Sequence, residues 1–89
     1  EASDEALELA SVSAEQEEEL ELGRAWRRLA EVLDAMDAPK REAFVLYELE
    51  ALTMAEVASS LDCPLQTAYG RLHAARRLVL NAFGGKERA

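Results

Sequence analysis

The stretch from Thr53 to Phe83, "TMAEVASSLDCPLQTAYGRLHAARRLVLNAF", decides the fold. Its first four residues form a capping box. The Thr53 hydroxyl can accept from the backbone N–H of Glu56, and the Glu56 carboxylate can accept from the N–H of Thr53. A helix is therefore expected from here to about Leu61, with Val57 and Leu61 one turn apart. "DCP" at 62–64 then interrupts it, because Pro64 cannot continue the preceding helix but can open a new one. The new helix runs to about Phe83, where Gly84–Gly85 supplies a stop. Two helices joined by about three residues must cross sharply, which is the shape of a helix-turn-helix.

Side-chain spacing divides the second helix into faces. At about 100° per residue, Leu65, Ala68, Leu72, Ala75, Val79 and Phe83 fall on one side. Gln66, Gly70, His73, Ala74, Arg77 and Asn81 fall opposite, with Tyr69 and Arg71 on the flanks. Arg76 lies near the apolar stripe, from which its stem can carry the head group outward. The polar face has what a major-groove reader needs. Gln66, Tyr69 and His73 can address base edges, with Gly70 among them, and Arg71, Arg76 and Arg77 can hold phosphates. Thr53 and Thr67, in the first turns of the two helices, are further phosphate candidates beside free N–H groups. The plain alternative is a solvated face that carries arginines.

Upstream, Trp26, Leu29, Leu33 and Met36 recur at three and four residues, with Val32 beside them. They predict a helix from about Gly23 to near Asp37, its stripe in the core. Pro39 suits the first turn of a second helix, in which Ala43 to Tyr47 is apolar almost all round. Ala58 is expected where the third and fourth helices approach. Ala51 stands at the turn between the second and third. The fold class is all-α: four helices, the third short and the last long, with the helix-turn-helix at about 53–83. The domain spans 23–85, preceded by an acidic linker or tail at 1–22, helical near its end, and followed by a short tail at 86–89.

Charge follows the same division. The chain is formally −8, yet residues 1–22 hold nine Asp and Glu and no Lys or Arg, while residues 23–89 hold ten basic and nine acidic side chains. The cations of the last helix thus sit far in sequence from the acidity, so net charge does not argue against a polyanionic partner. The acidic head is expected to weaken DNA binding, by competing for the arginines or by repelling the duplex.

No apolar run approaches the roughly 20 residues that cross a membrane, and no signal-peptide pattern is present. Cys63 is the single cysteine and forms no internal disulfide, which fits a cytoplasmic setting. One His and one Cys make neither a nucleophilic dyad nor a metal site, so neither an enzyme, a cofactor, a metal nor a small-molecule substrate is expected.

The segment "PKREAFVLYELEALTMAEVASSLDCPLQTAYGRLHAARRLV" resembles domain 4, the C-terminal domain of bacterial sigma factors of the extracytoplasmic-function type. The resemblance covers about Leu33 to Phe83. It rests on "PKREAF", "LT-x-x-EVA" and "DCP-x-x-TA-x-x-RLH-x-ARR" in combination. It implies a domain that reads the promoter −35 element and docks on the β flap of core RNA polymerase, with an anti-sigma factor as a further partner. Residues 1–22 then correspond to part of the linker that follows domain 2. Arg71, Leu72 and Arg76 match the family pattern. Tyr69, Gly70, His73 and Ala74 occupy its DNA-facing positions with unusual residue types, and Ala51 replaces a common turn glycine.

Two other readings fit the same residues. One is a protein-interaction module, for which exposed Leu78 and Leu80 would serve. The other is the helix-turn-helix output domain of a two-component regulator.

Overall fold

Two prolines and three residues of left-handed backbone, Ala51, Asp62 and Gly84, punctuate the described residues. The computed structural model describes residues 2–84, with side chains of the first helix described from Ser13 onward. The expected tail at 86–89, Gly85 of the expected stop, and the side chains of Leu7, Leu9 and Val12 lie outside the described residues. Four α-helices follow in order: α1 (Ala2–Ala35), α2 (Ala38–Phe44), α3 (Met54–Leu61) and α4 (Leu65–Ala82). No strand occurs among the described residues.

Helix α1 begins at Ala2 rather than near Gly23. Residues 1–22 contain no Gly or Pro and are rich in Glu, Leu and Ala, which are strong helix formers. A sparse apolar stripe removes the reason for a helix to pack but not for it to form. Gly23 does not break the rod. At its other end Arg41 ties off the helix: its Nη1 donates to the carbonyl of Leu33 at 3.2 Å and to that of Met36, just past α1, at 3.0 Å.

Asp37 caps α2, accepting from the Lys40 backbone N–H at 3.3 Å, and Pro39 lies in the first turn. The Lys40 ammonium also donates to this carboxylate at 3.2 Å, which holds the Asp37 pKa below its usual value. Beyond Phe44 the helix widens into a π turn, Val45–Leu49. It ends with the Glu50 N–H on the Val45 carbonyl and the Leu52 N–H on that of Leu46, both 3.0 Å. Ala51 then takes φ +61°, the conformation that glycine adopts without cost.

The core gathers Leu33 and Met36 of the α1 end, Ala43 and Phe44 of α2, Met54, Val57 and Ala58 of α3, and Ala68, Leu72 and Ala75 of α4. Ala43, Ala68 and Ala75 are fully buried, so the helices meet through small residues. The α4 face is therefore the expected one along its middle. Its ends differ: Leu65 is 47% exposed and Phe83 48%. Trp26 also departs from the expected core stripe, at 55% exposed. The cause is the length of α4. Arg28 lies level with the last residue of α4, Ala82, and Trp26 lies past that point, where α4 no longer runs beside α1.

Candidate nucleic-acid interface

The capping box at α3 is formed as expected. The Glu56 N–H donates to Thr53 Oγ1 at 3.1 Å, and the Thr53 N–H donates to Glu56 Oε1 at 2.9 Å. At the far end Asp62 takes φ +54°, and the Cys63 N–H reaches back to the Ala58 carbonyl at 3.0 Å. This left-handed cap reverses the chain within a few residues. Buried Ala58 and Ala68 let the two helices cross closely. Pro64 then precedes α4, and its carbonyl accepts the Ala68 N–H at 3.0 Å.

The turn turns a polar face of α4 to solvent. Gln66, Thr67, Tyr69, Gly70, His73 and Arg77 are exposed, and Arg71 is half-buried on the flank. The Tyr69 and His73 rings stack one turn apart, 6.3 Å between centroids at 24°. They form a flat aromatic edge beside Gln66. From Leu65 to Ala82 the helix carries three arginines, one histidine and no carboxylate. Such a surface can donate hydrogen bonds to base edges, stack on a base, and attract phosphate.

Arg76 is placed differently from Arg77. It is paired with Glu48 of the π turn through Nε, and its guanidinium lies 5.5 Å over the Tyr47 ring. It thus ties α4 to the end of the second helix. Thr53 is at the start of α3, with its hydroxyl oxygen already accepting from Glu56. Glu48, Tyr47 and Arg28 had no signal in the sequence, because a pairing 28 or 54 residues away leaves no periodic trace.

Among the described residues, no helix is long and apolar enough to cross a membrane, and no group of three or more His, Cys, Asp or Glu is placed to hold a metal ion.

Comparison with known families gives one finding. Residues 26–79, from Trp26 on α1 to Val79 on α4, match the family model of sigma-70, region 4. No curated protein matches the chain.

Proposed function

Because this chain belongs to the sigma-70 region 4 family, the part of a sigma factor that recognises the promoter −35 element, we propose that it is the −35-reading domain of an extracytoplasmic-function sigma factor. The observation that carries this reading is the α3–α4 turn with Gln66, Tyr69, His73 and Arg77 exposed along α4. In this reading α4 enters the major groove. Gln66, Tyr69, Gly70 and His73 meet base edges, and Gln66 can pair with adenine through two hydrogen bonds. Arg71, Arg77 and Thr67 hold phosphates on either side, and Thr53 holds one at the start of α3. Arg76 meets the backbone with the terminal amino groups that Glu48 does not take. The setting is the cytoplasm, and the role is non-catalytic.

Core RNA polymerase is the second partner, through its β flap. Exposed apolar residues support a protein partner: Leu78, Leu80 and Phe83 near the end of α4, and Trp26 on α1. The same surface suits an anti-sigma factor.

The test is binding to promoter DNA with and without core polymerase. Useful affinity only with polymerase supports the sigma reading. Tight, sequence-specific binding by the chain alone supports the output domain of a two-component regulator. Binding of a protein partner with no effect on any promoter supports the interaction module.

A further inference from the structure

Gly70 is a glycine that the fold itself does not need. It lies in the interior of α4, away from both caps, in a helical backbone that any residue adopts. A Cβ built there would meet nothing within 4 Å. Glycine is the poorest helix former after proline, so this position weakens α4 with no compensating contact among the described residues. The cost falls at the centre of the exposed face. Gln66 lies one turn before it and Ala74 one turn after, with the Tyr69–His73 stack alongside and Arg77 two turns on. Gly70 and Ala74 thus leave a shallow notch in the helix surface, with larger side chains around it.

Resting on the proposed −35 reading, we infer that Gly70 sets base preference at one position of the promoter. At the notch, the edge of a base pair comes against the α4 backbone, closer than any side chain would allow. A methyl group at residue 70 would fill the space that the base edge occupies. The groups beside the notch are Gln66 and His73, which supply hydrogen bonds, while Arg77 supplies charge. The occupant of the notch is a duplex base edge, which Gln66 and His73 can hydrogen-bond, while Arg77 at the far end of the notch meets a flanking phosphate.

The experiment compares Gly70→Ala with Gln66→Ala and His73→Ala in the sigma factor that carries this chain, bound to core RNA polymerase. The probe is a promoter library randomised across the −35 element. Gly70→Ala is expected to raise the melting temperature, which shows that the fold is intact. It is also expected to lose about tenfold in affinity for the preferred promoter and to change the preferred base at a single position. An unchanged preference for Gly70→Ala, with altered preferences for the other two variants, overturns the inference and leaves the reading helix standing. An equal loss on every promoter also overturns it, because the notch would then face the sugar–phosphate backbone. If none of the three variants alters preference, the −35 reading itself fails.

Discussion

The Arg28 guanidinium donates to the Ala82 carbonyl at 3.0 Å across 54 residues of sequence. Further along α1, Val32, Ala35 and Met36 face Leu78, one turn earlier on α4. The two helices therefore run in opposite directions, and the N-terminal half of α1 leads away from the N-terminal end of α4. The molecule is accordingly long, 66 Å on its greatest axis and 18 Å on its least. Arg28 satisfies one of the orphaned carbonyls at the α4 end. Arg28→Ala should cost about 1 kcal/mol, since the bond is solvent-exposed. Chemical denaturation of the two proteins measures it, and equal midpoints would show that the contact contributes nothing to stability.

The acidic head is expected to act at a distance. At about 1.5 Å per residue, Glu15 to Glu21 lie roughly 10–20 Å beyond Arg28, while Tyr69 lies about 20 Å from Ala82 the other way. Contact between those carboxylates and Arg71 or Arg77 of the same chain is not served by this geometry. Of the two expected ways to weaken DNA binding, the placement of Glu15 to Glu21 favours long-range repulsion. A fragment beginning at Gly23 should bind DNA more tightly than the whole chain at low salt. The gain should vanish near 0.15 M, where the screening length is about 8 Å. A gain that persists at high salt would mean that the head touches the basic face.

Ala51 holds a left-handed backbone at φ +61°. For a residue with a Cβ this costs roughly 1–2 kcal/mol, part of which glycine gives back through its freer unfolded state. Ala51→Gly should therefore stabilise the domain by about 0.5–1 kcal/mol. Thermal unfolding reads it directly, and a loss of stability would show that the turn is not strained.

Leu72 is 2% exposed at the centre of the α4 contact. Leu72→Ala should cost roughly 2–5 kcal/mol. A change well below 1 kcal/mol in equilibrium unfolding would mean that α4 presents another face to the core.

Local chemistry was the legible part of the sequence. The capping box, Pro39 and Pro64 are signals carried by neighbouring residues, and the helices start where those signals lie. The inner face of α4 was legible from period alone, because Ala68, Leu72 and Ala75 repeat on one side. Period does not say how far a partner helix extends. Trp26, Leu65 and Phe83 therefore continue core stripes past the point where the described helices bury them. The π turn was hidden, because an apolar run such as Val45–Tyr47 reads alike for either helix type. The candidate site divides in the same way. The exposure of Gln66, Tyr69, His73 and Arg77 follows from the α4 period, whereas the Glu48 and Tyr47 contacts of Arg76 arise only when distant segments meet.

In the proposed reading α4 separates base readers from phosphate holders. The measurement is the −35 preference and salt dependence of alanine variants, in polymerase-dependent binding to a promoter library. Gln66→Ala, Tyr69→Ala and His73→Ala should each alter the preferred sequence, with about 1–3 kcal/mol of discrimination lost at the position concerned. Arg77→Ala should weaken all sequences alike and lower the salt slope by about one phosphate contact. A redirected preference in Arg77→Ala, with only uniform weakening in the other three, would contradict the account.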